Sequence, residues 1–305
     1  MRNLSGLHVL LTYGCTSACD HCFVYSSPRS DYVFTITQLR EIIAQAQEVP
    51  SIKTFYFEGG EPFLYYAHLL ESVRLVRRAG YECGIVSNSY WASSVEDAEC
   101  YLRPLAQLGI ADLSISDDEF HRDPATTENR AQNACRAAEN LGMPVSTICV
   151  TPPRAAADEG RGGEPVVGGD VMFKGRAVDT LVGDLPTQPA ASFASCEQED
   201  FREVSRVHID PFGWVHLCQG VVAGNLFEKS LKNIIVDYEP DGDPIIGPLA
   251  RGGPVELAKK HSVDVGESFV DACHMCFLIR RVLIDRFPDR LAPPRVYGLT
   301  EDARQ

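Results

Sequence analysis

Short apolar runs alternate with helical patterns through the first half of this chain, and that alternation restricts the possible folds more than any other feature. Between the runs, apolar residues recur at the spacing of one helix face, as at Leu39, Ile42, Ile43 and Ala46. Alternating strands and helices favour a parallel sheet with right-handed crossovers. The runs that predict buried strands are Leu7–Thr12, Thr54–Phe57, Glu82–Val86, Asp112–Ile115 and Val145–Val150.

A sixth strand is predicted at Val171–Phe173, and six βα units would form an open (β/α)6 partial barrel of the α/β class. The segment 151–170 is rich in Pro, Ala and Gly and predicts a loop. A helix is predicted near Thr127–Leu141. We therefore expect a partial barrel over residues 1–180.

The pattern changes in the second half of the chain. Arg206–Asp210 and Trp214–Cys218 flank Pro211-Phe212-Gly213, which predicts a β-hairpin. We expect a small module of hairpin and helix over residues 190–285. The tail, residues 286–305, is rich in Pro and charge and is predicted to be loosely held.

Three cysteines directly follow the first predicted strand. Cys15, Cys19 and Cys22 have the spacing C-x3-C-x2-C. Three thiolates on one tight loop can hold three irons of a four-iron cubane, and the fourth iron is then open for substrate chemistry. The alternative is a zinc knuckle, which needs a fourth ligand. His21 lies between two of the cysteines and is poorly placed to share their metal.

A glycine pair ends the second predicted strand, in the sequence Gly59-Gly60-Glu61-Pro62. Paired glycines let the backbone approach a ligand closely, and Glu61 can accept hydrogen bonds from an ammonium group. The alternative is a plain strand-to-helix turn. Placed one βα unit after the cysteine loop, this motif completes a pattern that resembles the radical S-adenosylmethionine (SAM) superfamily over residues 7–180.

The resemblance implies a [4Fe–4S] cluster on the three cysteines, with SAM bound beside it. His21 stands where the family has an aromatic residue near adenine, and Ser87 with Asn88 would suit ribose hydroxyls. Arg176 would reach the SAM carboxylate or lie at the surface. The cofactor-binding residues that the resemblance implies are His21, Gly59, Gly60, Glu61, Pro62, Ser87, Asn88, Ser116 and Arg176.

A second cysteine set lies in the C-terminal module: Cys196, Cys218, Cys273 and Cys276. Two pairs of cysteines can bind zinc. Their order, with a Gly-x4-Cys pattern ending at Cys218 and a CxxC at Cys273, resembles the Twitch module of radical SAM enzymes, a shortened relative of the SPASM domain. That resemblance implies one auxiliary [4Fe–4S] cluster.

Acidic and imidazole side chains follow the fourth predicted strand. Asp117 and His121 are candidate catalytic residues, because either could face the substrate as a proton acceptor or hydrogen-bond partner. The alternative reading is that acidic residues such as Asp117 and Asp118 precede a helix N-terminus, where negative charge is favoured.

Composition excludes several classes of protein. The formal charge of the 305 residues is −14 and basic residues are scattered, which disfavours a nucleic-acid partner. No apolar run reaches the about 18 residues of a membrane span. The 11 cysteines are an odd count in a chain whose N-terminus does not resemble an export signal, so a disulfide framework is not expected. We expect a cytoplasmic protein.

The predicted function is that of a radical SAM oxidoreductase. It would cleave SAM to a 5′-deoxyadenosyl radical and abstract hydrogen from a C–H bond of a peptide or protein side chain, as maturases of ribosomal peptides do. The reductant would be of the flavodoxin or ferredoxin type. The alternatives are a radical dehydrogenase or cyclase acting on a small amino sugar or alcohol, and a non-enzymatic zinc or iron–sulfur protein.

Overall fold

The computed structural model describes residues 1, 3–122, 129–158 and 164–303. Its first half contains five strands connected by four helices. The strands are β1 (Gly6–Thr12), β2 (Thr54–Gly59), β3 (Glu82–Ser87), β4 (Asp112–Ser116) and β5 (Val145–Ile148). The helices are α1 (Ile36–Gln47), α2 (Tyr66–Arg78), α3 (Val95–Leu108) and α4 (Arg130–Asn140).

Shorter elements make up the rest. The strands are β6 (Arg154–Asp158), β7 (Glu164–Gly168), β8 (Gln188–Pro189), β9 (Arg206–Ile209), β10 (Trp214–Cys218), β11 (Val221–Asn225) and β12 (Ser268–Phe269). The helices are α5 (Ala177–Thr180), α6 (Leu231–Val236), α7 (Ile246–His261, kinked at Gly252 and Gly253) and α8 (Ala272–Leu283).

One sheet of eight strands organises the fold, in the order β11-β10-β9-β1-β2-β3-β4-β5. Strands β1 to β5 are parallel neighbours, and β9 pairs in parallel with β1. The hairpin predicted at Arg206–Asp210 and Trp214–Cys218 is present as β9 and β10, and β11 extends it. Because β5 and β11 are the two edges, the barrel is open, which confirms the predicted α/β fold class.

The alternation of side chains along the strands separates the core from the cavity. Val9, Phe57 and Ile85 are fully or almost fully buried in the core that includes the apolar helix faces. The residues one position further on, such as Leu10 and Val86, face the opposite way and line a cavity on the concave side of the sheet. Any ligand in that cavity is therefore enclosed by the sheet.

Helix starts agree with the local sequence. Thr35 and Gln38 form a reciprocal capping box at α1, and the residues predicted to share its buried face are buried. The helix predicted near Thr127–Leu141 is α4, capped by Asn129, while residue 127 lies outside the described residues. Among the described residues, no helix is long and apolar enough to cross a membrane.

The prediction of a sixth strand at Val171–Phe173 is wrong. This segment pairs with no strand of the described residues, because the chain turns from it onto the cysteine loop, where the Arg176 N–H donates to the Cys22 carbonyl oxygen at 2.9 Å. The predicted loop 151–170 also differs: it contains the antiparallel pair β6 and β7, in which small Ala residues face Val166 and Val167.

The C-terminal tail is packed, which corrects the expectation of a loosely held segment. Val296 and Tyr297 are buried, and Arg295 is only 2% exposed. The Arg295 guanidinium donates to Ser30 Oγ at 2.7 Å and Asp302 Oδ2 at 2.6 Å, and its central carbon lies 4.0 Å from the centroid of the Tyr13 ring. A buried cation held in this way fixes the tail against the loop that follows β1.

Replacing this cation should therefore destabilise the whole chain. We expect Arg295→Ala to lower the free energy of unfolding by about 3 kcal/mol, because two charge-assisted hydrogen bonds are lost in a buried site. Arg103→Ala is the control, since its ion pair with Glu99 is exposed and worth about 0.5 kcal/mol. Urea unfolding of both variants measures the difference, and equal small losses would contradict the packing of the tail.

Candidate active site

The cysteine loop leaves the carboxyl end of β1 and is held by its own backbone and by one arginine. The Cys22 N–H donates to the Cys19 carbonyl oxygen at 3.1 Å, which makes a tight turn. The Arg176 guanidinium, in a residue 7% exposed, donates to the carbonyl oxygens of Cys19 at 2.7 Å and Ser26 at 2.8 Å. Arg176 thus braces the loop, which differs from both expected roles, a contact to the SAM carboxylate and a surface position.

The glycine pair lets two loops approach each other. The Gly60 N–H donates to the Thr12 carbonyl oxygen at 2.7 Å, and the Glu61 N–H donates to that of Gly14 at 2.8 Å. A Cβ at Gly60 would lie 2.0 Å from the Gly14 oxygen, and Gly59 has a φ of +126°. No side chain other than hydrogen fits this contact, so the glycines are required by the cysteine loop itself.

The Glu61 carboxylate joins the turn after β2 to the end of β3 through hydrogen bonds. It is fully buried and accepts hydrogen bonds from the Phe63 N–H at 3.0 Å, Ser87 Oγ at 3.0 Å and the Asn88 N–H at 2.7 Å. Burial raises the pKa of Glu61 to about 7, although these donors favour the charged form. Both oxygens of the Glu61 carboxylate accept hydrogen bonds from the protein itself, and Glu61 does not line the cavity. The geometry therefore does not support the expected contact between Glu61 and an ammonium group. Pro62 is also buried, at the start of a single 3₁₀ turn.

The third strand carries polar groups into the same region. Ser87 Oγ accepts from Trp91 Nε1 at 2.9 Å besides donating to Glu61, so its hydroxyl is largely engaged. Asn88 Nδ2 lies 3.0 Å from Thr16 Oγ1 and 3.5 Å from Cys15 Sγ. Asn88 therefore connects the end of β3 to the cysteine loop.

The fourth strand ends in a carboxylate–imidazole pair. Asp118, 3% exposed, holds His121 through a contact of 2.7 Å between Oδ1 and Nδ1 and caps the following turn at the Phe120 N–H. The His21 ring packs against the His121 ring, with ring centroids 5.3 Å apart. Burial lowers the pKa of His21 to about 4, so its ring is neutral. Asp117 lies apart from this pair, 3.4 Å from Arg122 Nη2.

These groups enclose a cavity of about 260 Å³ at the carboxyl ends of the strands. A second cavity of about 360 Å³ adjoins it and includes Asp117. Asn88, Ser116 and His121 line both cavities. Of the sequence-predicted residues, those that line the first cavity are Cys15, Cys19, Cys22, His21, Gly59, Gly60, Ser87, Asn88, Ser116 and His121.

The chemistry of the donor set fits a metal cluster. Burial raises the pKa of the Cys15 and Cys19 thiols to about 12, so without a cation they are neutral. A coordinated metal deprotonates such a thiol outright. Within the described residues, neither cysteine set forms a group of three ligand atoms as close as 4.8 Å. A cubane accommodates wider spacing than a single zinc ion, because each thiolate binds a different iron.

The four C-terminal cysteines line one cavity of about 60 Å³. Two buried cations line it as well: Lys174 is 3% exposed and Arg280 is 1% exposed. In the part of the chain that the structure describes, no carboxylate lies within 4.0 Å of either cation, although Asp271 lines the same cavity and interacts with Lys174 electrostatically. Buried cations require compensating negative charge. Four thiolates around a metal centre would supply it.

A histidine–glutamate–histidine cluster at the floor of the first cavity was missed by sequence reasoning. Glu58 lies 3.3 Å from His8 Nδ1 and 3.1 Å from His208 Nε2. Despite burial, both imidazoles hold the pKa of Glu58 well below its usual range. A charged residue inside an apolar strand was the available signal, but pairing across β9, β1 and β2 is not visible in one sequence.

Residues 9–158 match the family model of the Radical SAM superfamily. This stretch is therefore similar to a radical SAM domain. It includes the first cysteine set, the glycine pair and the polar residues that end β3 and β4. Arg176 and the second cysteine set lie outside the matched residues.

Two further similarities accompany the domain match. Over 107 residues the chain is 31% identical to YydG of Bacillus subtilis (strain 168), whose description provisionally assigns it to peptide biosynthesis. That match covers 35% of this chain and 34% of the relative, so the chain spans about a third of the length of the curated relative it matches. The structure of BtrN in complex with AdoMet and 2-DOIA is similar at a TM-score of 0.55 and 15% identity, covering 84% of this chain and 92% of BtrN. This similarity shows the fold.

The stretch that matches the radical SAM superfamily should depend on Glu61 for stability. We expect Glu61→Ala to lower the free energy of unfolding of the metal-free chain by about 3 kcal/mol, because three buried donors lose their acceptor. Glu41→Ala, at an exposed position of α1, is the control and should change it by less than about 0.5 kcal/mol. Thermal unfolding monitored by circular dichroism measures both. If Glu61→Ala instead leaves the melting curve unaltered and weakens SAM binding, the result would support a direct contact between Glu61 and the ammonium group of SAM.

Proposed function

We propose that this protein is a radical SAM oxidoreductase that acts on a C–H bond of a peptide or protein side chain. The observation that carries the proposal is the meeting of the three N-terminal cysteines and the glycine pair at one cavity, within the stretch that matches the radical SAM superfamily. A non-enzymatic zinc or iron–sulfur protein would not need the polar lining beside the cysteines.

Cys15, Cys19 and Cys22 would hold the [4Fe–4S] cluster. When bound, the cluster and SAM supply reductive cleavage of SAM and a radical able to abstract hydrogen. The Gly60 carbonyl oxygen accepts no hydrogen bond from the described residues and is available to a ligand ammonium. Asn88 and Ser116 offer side-chain hydrogen bonds to the remainder of SAM.

His121 is the proposed proton acceptor. Asp118 fixes its ring through Nδ1, so Nε2 is the nitrogen left for a substrate proton. His121 lines both cavities, whereas Asp117 lines only the outer one and is proposed as a hydrogen-bond partner there. An oxidation that removes hydrogen must also release a proton, and His121 is placed to take it.

The second cysteine set would hold an auxiliary [4Fe–4S] cluster, as in a Twitch module. The support is the convergence of Cys196, Cys218, Cys273 and Cys276 on one cavity together with two buried cations that form no ion pair with a carboxylate of the described residues. Four available thiolates would complete its coordination. A fully ligated cluster favours electron transfer over direct substrate binding.

The first test is SAM cleavage. The anaerobically reconstituted and reduced protein should form 5′-deoxyadenosine slowly even without substrate, and Cys22→Ala should form none, because one of three cluster ligands is lost. Cys100→Ala is the matched control, since Cys100 is exposed on α3 outside both cysteine sets. Chromatography of the nucleoside measures the outcome. Formation by Cys22→Ala at the wild-type rate would exclude this cluster site.

The second test concerns the substrate. The peptide is favoured by the similarity to YydG, whose description concerns peptide biosynthesis. A peptide encoded beside the gene and deuterated at its side chains should transfer deuterium into 5′-deoxyadenosine, because the hydrogen moves directly to that product. Mass spectrometry of the nucleoside detects the transfer. If labelled amino sugars or polyols transfer deuterium and no such peptide does, the proposed peptide substrate is wrong and the protein is a dehydrogenase of small molecules.

A further inference from the structure

We propose that Lys174 sets the reduction potential of the auxiliary cluster by placing a buried positive charge against its ligand Cys218. The inference rests on the proposed auxiliary cluster. The Lys174 Nζ atom lies 3.8 Å from Cys218 Sγ, and the residue is 3% exposed. Water therefore screens this charge little.

Lys174 and Arg280 reach different ligands of this cavity. Arg280 donates to the Gln219 carbonyl oxygen at 2.8 Å, lies 3.4 Å from the Tyr297 hydroxyl and also hydrogen-bonds to the side chain of Cys276. The Lys174 ammonium group contacts the Cys218 sulfur and the face of the Phe23 ring, 5.2 Å away, and the Asp271 carboxylate of the same cavity interacts with it electrostatically. Because Cys218 Sγ is the acceptor of the Lys174 ammonium, this charge lies against a cluster ligand.

The two residues after Lys174 contact the loop of the first cysteine set and so hold the backbone of Lys174 in place. The next residue, Gly175, has a φ of +65°, and a Cβ there would lie 2.3 Å from Phe23 Cα and 2.6 Å from the Cys22 oxygen. Arg176 follows and holds the same loop through the Cys19 carbonyl oxygen. Segment 174–176 therefore contacts both cysteine sites, and the backbone from which the Lys174 side chain extends is held by the first.

The sign of the effect follows from electrostatics. Reduction adds one negative charge to a cluster, and a nearby cation stabilises the reduced form more than the oxidised one. Net charge and hydrogen bonds to the sulfurs are among the factors that set cluster potentials. Lys174 should therefore raise the potential and make the auxiliary cluster a better electron acceptor for a substrate oxidation.

The experiment isolates the auxiliary cluster in full-length protein carrying Cys15→Ala, Cys19→Ala and Cys22→Ala. After reconstitution this protein should contain about four irons. Lys174→Met keeps the length of the side chain and removes the charge, while Lys174→Arg keeps the charge. Lys53→Met, at an exposed position before β2, is the control. Midpoint potentials come from redox titrations monitored by electron paramagnetic resonance.

We expect Lys174→Met to lower the equilibrium constant for reduction at least tenfold, which is about 59 mV for one electron. Lys174→Arg and Lys53→Met should stay near the parent value. A four-iron cluster whose potential is the same in Lys174→Met would overturn the role of Lys174, as would an equal shift in Lys174→Arg. Protein with one zinc and no iron at this site would instead overturn the auxiliary cluster, so the two failures are distinguishable.

Discussion

The contact between the glycine pair and the end of β1 is the constraint on which the site depends. Two hydrogen bonds, from the N–H groups of Gly60 and Glu61 to the carbonyl oxygens of Thr12 and Gly14, join the first two βα units at their carboxyl ends. A Cβ at Gly60 would overlap the Gly14 oxygen. Since the cysteine loop starts at this point, its position relative to the rest of the barrel is set by a contact that only glycine permits.

Glu61 extends this constraint to the third strand. Its buried carboxylate joins the turn after β2 to Ser87 and Asn88, and the Asn88 side chain reaches back to Thr16 in the cysteine loop. These hydrogen bonds connect the carboxyl ends of β1, β2 and β3 to one another around the cavity. Binding groups on three separate elements are thereby held as one rigid unit, as catalysis by positioning requires.

The sequence predicted the parts of this site that depend on local pattern. The positions of β1 to β5, the cysteine spacing and the glycine pair can be predicted from neighbouring residues. The family resemblance predicted an ammonium contact for Glu61, and for Arg176 either a contact with the SAM carboxylate or a surface position. Both are instead buried, Arg176 against backbone oxygens of the cysteine loop and Glu61 partly against the end of β3, and such tertiary partners leave no local signal.

Long-range contacts also explain why the order of strands in the sheet was not predicted. Val171–Phe173 has the apolar pattern of a strand, yet its continuation carries Gly175 and Arg176, whose contacts are with the cysteine loop. The edge next to β1 is filled by β9, a strand whose pairing joins residues about two hundred positions apart. Apolar periodicity therefore shows that a segment could be a strand but neither that it pairs nor with which neighbour, because parallel pairing is decided by long-range packing.

The two cysteine sets differ in where their cations are directed. Both sets have carboxylates nearby: Glu61 opposes deprotonation of Cys15, and Asp271 opposes that of Cys273. At the first set the Arg176 guanidinium donates to backbone carbonyl oxygens, whereas at the second the Lys174 ammonium lies 3.8 Å from Cys218 Sγ. A cation directed at a ligand sulfur stabilises the reduced form of a cluster more than one engaged by backbone oxygens. If both sites hold iron–sulfur clusters, these contacts therefore favour electron uptake from an oxidised substrate at the second.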